Sequence, residues 1–213
     1  MNSLFTEKEM TPLIRSISYR QDIILQSIIH LYLPAGKIQL DPCYNKGRFY
    51  ESGIVPEPDY IFDITPLYAK VKYADCCKLP LDNNSIDSVI FDPPFITYPG
   101  KNLYKPLRRY GAFRTYGDLK KMYKASLKEF FRILKTNGIL IVKCQDGTFG
   151  PDITFTHIDA VVLPCRSIGF KELDLFILLS NQRIENRNGN QRHSRKYHSY
   201  FIVFKKGKIN AKI

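Results

Sequence analysis

The residues best suited to chemistry are Asp92, Pro93, Pro94 and Phe95, which close the run Ser88-Val89-Ile90-Phe91. A β-branched and aromatic run of this kind reads as a buried strand, so a carboxylate, two prolines and an aromatic ring stand where that strand leaves its sheet. Neither proline donates to a ladder or continues into a helix, and each residue before a proline is pushed towards extended geometry. Asp92 and the carbonyls around it therefore keep a fixed direction. Groups held this way accept hydrogen bonds from an amine, and the ring offers a stacking face. An ordinary strand followed by a Pro-Pro turn, with Asp92 as a solvated turn residue, fits the same four residues, and the tetrapeptide alone leaves both readings open.

Three further acids stand at the ends of short apolar runs. Residues 37–40 form a strand running into Asp41-Pro42-Cys43-Tyr44-Asn45-Lys46-Gly47, an acid followed by a tight turn, the layout by which nucleotide-binding α/β folds bring backbone close to a ligand. Asn45 stands where a glycine is expected, and asparagine is the residue that best tolerates positive φ after glycine. Residues 58–62 form the next strand and end in Asp63, whose carboxylate can accept from two adjacent hydroxyls or can simply cap the turn that follows. Residues 70–74 form a third strand and end in Asp75. Asp41, Asp63, Asp75 and Asp92 thus terminate four successive strands, and four coincidental caps in that order are less expected than one site.

Asp92-Pro93-Pro94-Phe95 resembles the [Asp/Asn/Ser]-Pro-Pro-[Tyr/Phe/Trp] signature of amino-methyltransferases that use S-adenosyl-L-methionine (SAM). Asp41, Pro42 and Gly47 match that family's Asp-Pro-Phe-x-Gly-x-Gly turn, while Cys43 replaces Phe and Asn45 replaces the first Gly. The resemblance covers roughly residues 37–206. It implies a Rossmann-like α/β fold with a mostly parallel seven-stranded sheet of order 3-2-1-4-5-7-6, the last strand antiparallel, and helices on both faces. It further implies that Asp41, Cys43, Asn45 and Gly47 hold the methionine end of SAM, that Asp63 holds the ribose and Asp75 the adenine, and that Tyr19 and Arg20 close over the methionine end. Asp92 and the Pro93 carbonyl then accept the hydrogens of an exocyclic amine, with Phe95 stacked on the base. Asp at the first signature position leans towards adenine N6 in DNA. RNA is the alternative substrate, and a catalytically silent methyltransferase-like nucleic-acid-binding subunit is the alternative outside enzymes.

The elements that must position these residues read as follows. Residues 5–16 and 19–32 form two helices, and residues 1–36 are expected to pack as a helical segment on a single domain of residues 37–213. Residues 118–134 form an amphipathic helix, 139–144 a fifth strand, 154–167 a helix, and 170–179 and 199–205 a final strand pair. Between Phe95 and that amphipathic helix lies a long segment in which aromatic residues alternate with cations, including Tyr98, Lys101, Arg108, Arg109 and Arg114. Between the last strands lie Arg187, Arg192, Arg195 and Lys196. Rings among cations suit nucleic acid, with stacking for bases and charge for phosphates. A net charge of +12 favours the same polyanionic partner. No apolar run reaches the length of a membrane span, and the first residues lack a signal peptide's pattern, so a cytoplasmic location is expected. The five cysteines have no spacing that suggests zinc and are read as reduced core residues, so no metal is expected. The absence of a large insertion implies a second subunit, either a copy of this chain or another protein, to supply target recognition.

Overall fold

The computed structural model describes residues 13–97, 113–149, 152–180 and 193–207. Its centre is an eight-stranded sheet: β1 (Ile17–Ser18), β2 (Leu40–Asp41), β3 (Tyr60–Asp63), β4 (Lys72–Tyr73), β5 (Ile86–Phe91), β6 (Leu134–Cys144), β9 (Phe170–Leu179) and β10 (His198–Lys206). The order across it is β4-β3-β2-β5-β6-β10-β9-β1. The pairs β4–β3, β3–β2, β2–β5 and β5–β6 are parallel, and β10 is antiparallel to both β6 and β9. The sheet has one strand more than the seven expected. The addition is β1, which pairs parallel to β9 at the edge and is joined to it by the Ile177 N–H donating to the Ser16 carbonyl at 2.7 Å. Residues 13–16, expected to end a helix, are therefore extended into an edge pairing, and the rest of that expected helix lies outside the described residues.

Period-two alternation sorts the central strands onto two cores. Val89 and Phe91 of β5, Leu140, Val142 and Cys144 of β6, and Ile202 and Phe204 of β10 face one side. There they meet α2 (Tyr116–Ile133) through Leu119, Tyr123, Leu127, Phe130 and Ile133. Ile90, Ile139, Ile141, Phe201 and Val203 face the other side and meet α1 (Gln21–Tyr32). The buried stripe of α1 is Ile24, Leu25, Ile28 and Ile29, a helical i, i+4 pattern displaced from the expected one, because Leu31 points to solvent. Thr115 caps α2, its hydroxyl accepting from the Asp118 N–H at 3.0 Å, a contact worth about 1 kcal/mol.

The helix expected over 154–167 is three shorter pieces. A hairpin of β7 (Gly147–Phe149) and β8 (Asp152–Thr154) precedes a π-helical turn at His157–Val162 and then α3 (Leu163–Ile168). Pro164 sits in the first turn of α3, where its missing N–H leaves no ladder bond unmade.

Candidate active site

The carboxyl ends of β2, β3 and β5 converge, and the turn after β2 is built around two carboxylates. Asp41, only 2 % exposed, accepts from the Cys43 N–H at 3.0 Å and from the Tyr50 hydroxyl at 2.9 Å. Asp63 reaches across from β3 to accept the Asn45 N–H at 2.8 Å, and its other oxygen accepts from the Thr65 N–H at 2.8 Å. Asn45 has φ of +48°, so asparagine does fill the glycine place with the backbone glycine would give. Gly47 has φ of +67°, and a Cβ there would run into the Tyr44 ring. That ring stacks on Tyr50, 5.7 Å away, and is further held by its hydroxyl on Glu57.

Burial, with the Asp92 and Asp63 carboxylates adding to it, raises the Asp41 carboxyl to about 7 despite its two hydrogen bonds. The same influence shows that the three acids share one electrostatic neighbourhood. Burial first, and then Asp41, also pushes the Tyr50 hydroxyl far up, so it stays a donor.

Asp92 follows Phe91 directly at the end of β5, with Pro93 buried and Pro94 and Phe95 half-buried behind it. One of its oxygens accepts from the Lys143 ammonium at 3.0 Å. Lys143 lies on β6, between the rings of Phe49 at 5.0 Å and Phe201 at 5.7 Å. The acceptor expected to hold an amine thus already faces a nitrogen donor. Sequence reasoning passed over Lys143, although a lysine within Ile-Leu-Ile-Val-Lys-Cys was the available signal.

Asp75 joins this group less closely. It is exposed, and its carboxylate accepts the Cys77 N–H at 2.8 Å, closing the turn after β4. Tyr19 is 62 % exposed and the Arg20 guanidinium is paired with Asp22 at 2.7 Å. Both stand at the start of α1, which Gln21 ties to the turn by donating to the Arg48 carbonyl at 3.2 Å. Arg114 and Arg195 are exposed and Lys196 is half-buried, donating to Ser194 at 3.2 Å. Tyr98, Lys101, Arg108, Arg109, Arg187 and Arg192 lie outside the described residues. The two ends of the 98–112 segment do meet: the Phe113 N–H donates to the Ile96 carbonyl at 3.0 Å, and the Thr97 hydroxyl reaches the Thr148 carbonyl of β7 at 3.4 Å.

Two groupings were not visible in the spacing of residues. Asp146, just past β6 and 4 % exposed, accepts from the His157 backbone at 3.2 Å and pairs with its ring nitrogen at 2.8 Å, while Tyr200 lies on that ring at 4.4 Å. His198, expected as loop surface, is half-buried and bonds the Tyr200 hydroxyl at 2.8 Å. Cys43 is brought against Cys76 and Cys77, although these lie far apart in the chain.

A fit test for a cofactor rests on two orphaned buried atoms. Asn45 Oδ1 and the Tyr123 hydroxyl have no hydrogen-bond partner. Asn45 belongs to the turn, and the Tyr123 hydroxyl lies in the field of Asp92 and Cys43. Unpaired polar atoms this deep are costly unless a ligand or water satisfies them, so the residues present fit a polar cofactor at this edge of the sheet.

No protein-family model and no curated protein matches the sequence. Among solved structures, the [4+2]-cyclase SpnF superposes with a TM-score of 0.51 at 12 % identity, over 87 % of this chain and 81 % of that one. Together with the sheet order, this likeness establishes a methyltransferase-like α/β fold and, at that identity, the fold alone. TTHA0409 of Thermus thermophilus, provisionally named a DNA modification methylase and solved with SAM, superposes at 0.47 with 22 % identity over 66 % of this chain and 56 % of that one. A complex of M1.HpyAVI with SAM superposes at 0.34 with 13 % identity over 61 % and 47 %. The chain spans about half the length of the Thermus methylase, and neither of these two superpositions carries weight beyond its name.

Proposed function

We propose that this protein transfers a methyl group from SAM to the exocyclic amine of a nucleic-acid base, adenine N6 in DNA first. The observation that carries the reading is Asp92. A carboxylate fixed by two prolines at the end of a central strand accepts from a nitrogen at 3.0 Å, and it shares a neighbourhood with Asp41 and Asp63 of the adjoining turn.

SAM, when bound, supplies an electrophilic methyl group; the protein's task is positioning. Asp63 and Asp41 fix the turn, so the orphaned Asn45 Oδ1 serves as acceptor for the methionine end. Asp63 keeps lone pairs for ribose hydroxyls beyond its two backbone donors. Asp75, at the exposed lip of the same edge, serves the adenine amine. Asp92 and the Pro93 carbonyl accept the two hydrogens of the target amine, which turns its lone pair outward, and Phe95 stacks on the extruded base. The incoming amine takes the place of the Lys143 ammonium. Arg114, Arg195 and Lys196, with the cations of the 98–112 and 181–192 segments, serve the phosphates. Residues 1–36 form a segment packed on the 37–213 domain, and a second subunit contributes target choice.

The Lys143–Asp92 pair favours one other reading, a silent subunit whose amine acceptor is permanently filled. Calorimetry with SAM tests the cofactor site. Binding lost by more than about tenfold in Asp63→Ala, where hydrogen bonds to charged groups disappear, supports the enzyme. No heat of binding with the folded wild-type chain contradicts it.

A further inference from the structure

The geometry points to a binding site for a thiophilic divalent cation of the zinc class, formed by Cys43, Cys76 and Cys77 with Asp75 as the fourth donor. It goes beyond the proposed function, and its test contains no cofactor.

One donor atom each from Asp75, Cys76 and Cys77 lies within 4.8 Å of the others. Zinc–thiolate bonds of about 2.3 Å in a tetrahedron set ligand atoms about 3.8 Å apart, so closing on an ion requires a contraction of about 1 Å at most. Cys43 supplies the third sulfur from the other side, because its thiol is in hydrogen-bond contact with Cys76. The donors come from two turns, one after β2 and one after β4, and all three sulfurs are half-buried rather than sealed in the core. By contrast, Cys144 and Cys165 are fully buried.

The surroundings of the sulfurs are those of a supported ligand set. Ser126, 0 % exposed on α2, places its hydroxyl 3.3 Å from both Cys76 Sγ and Cys77 Sγ, and 3.4 Å from Met122 Sδ. A hydroxyl there orients thiolates as outer partners of metal ligands do. The turn bearing Cys76 and Cys77 is pinned below by Glu129, which accepts the Leu79 N–H at 2.7 Å, and by Arg132, which donates to the Leu81 carbonyl at 2.8 Å. Without an ion the thiols stay protonated, since burial and mutual contact raise all three. A dication offsets that cost, and binding must release protons.

Cadmium is the spectroscopic probe. Titration of the reduced full-length chain with Cd²⁺ alone is expected to give one ion per chain, an ultraviolet thiolate-to-cadmium band of three-thiolate intensity, and proton release. Cys43→Ser, Cys76→Ser and Cys77→Ser should each remove one thiolate's share of the band and weaken binding on the order of 100-fold, at the top of the range for residues that merely support a ligand. Cys165→Ser should leave it unchanged. In the unmutated chain, Cd²⁺ should protect Cys43, Cys76 and Cys77 from alkylation, read by mass spectrometry. A band that fails to saturate at one equivalent, a band unaltered by Cys76→Ser, or equal alkylation of the three thiols with and without Cd²⁺ would overturn the site.

Discussion

At the scale of the residue, position matters more than reactivity. Asp41 is the clearest case, because it organises the turn from a buried place and both its oxygens already have donors. Its carboxyl titrates near 3.9 in an unfolded chain and at about 7 in the fold. Between those values the folded chain binds more protons, so this group's contribution to stability falls as pH rises from about 4 to about 7, at up to about 1.4 kcal/mol per pH unit. Urea unfolding of wild type and Asp41→Asn at pH 5 and pH 8 reads it: the wild type should lose stability relative to the variant across that interval. A constant difference between the two proteins would contradict the assignment. Asn45 makes a second case. With φ at +48°, Asn45→Gly should be tolerated, whereas Asn45→Val should cost about 1–2 kcal/mol, as measured by the shift in the urea midpoint.

Elements explain why some of this was legible and some not. The four strand-end acids could be read because each ends a run of β-branched or aromatic residues, and β3, β4 and β5 do lead into Asp63, Asp75 and Asp92. The Asn45 turn was legible for the same reason, since few residues accept positive φ. The edge strand β1 was not, because its pairing with β9 is made by backbone groups that carry no side-chain signature. Nor was the break of the 154–167 segment, where an apolar pattern persists through a hairpin and a π-helical turn. Lys143 was missed because a strand's alternation assigns a side, not a partner; only the alignment of Phe91 with Val142 carries it to Asp92. Lys143→Met keeps the packing against Phe49 and Phe201 but removes the ion pair. It should destabilise the chain by about 1–2 kcal/mol, between exposed and buried pairs, in a chemical unfolding experiment. If the lysine blocks the site permanently, the same variant should gain methyl transfer; if substrate displaces it, transfer should not rise.

At the scale of the molecule, the sheet gathers cofactor turn, amine acceptor and the bases of two cationic segments on one edge. Ligands of open α/β sheets bind at the carboxyl ends of the strands, which is where Asp41, Asp63, Asp75 and Asp92 lie. Among the described residues no helix is long and apolar enough to cross a membrane. With a net charge of +12, binding to duplex DNA should weaken steeply with salt, with log K falling by about 0.9 per phosphate neutralised. Fluorescence anisotropy at several salt concentrations reads the slope, and a slope near zero would remove nucleic acid as the partner.

The decisive measurement is transfer of labelled methyl from SAM to unmethylated duplex DNA, single-stranded DNA and RNA, followed by digestion to nucleosides, for wild type and Asp92→Asn. Label in N6-methyldeoxyadenosine, reduced on the order of 100-fold or more in the variant, is the expected result for a residue that positions the amine. Transfer to none of the three by a chain that binds SAM and nucleic acid, or equal transfer by Asp92→Asn, would contradict it.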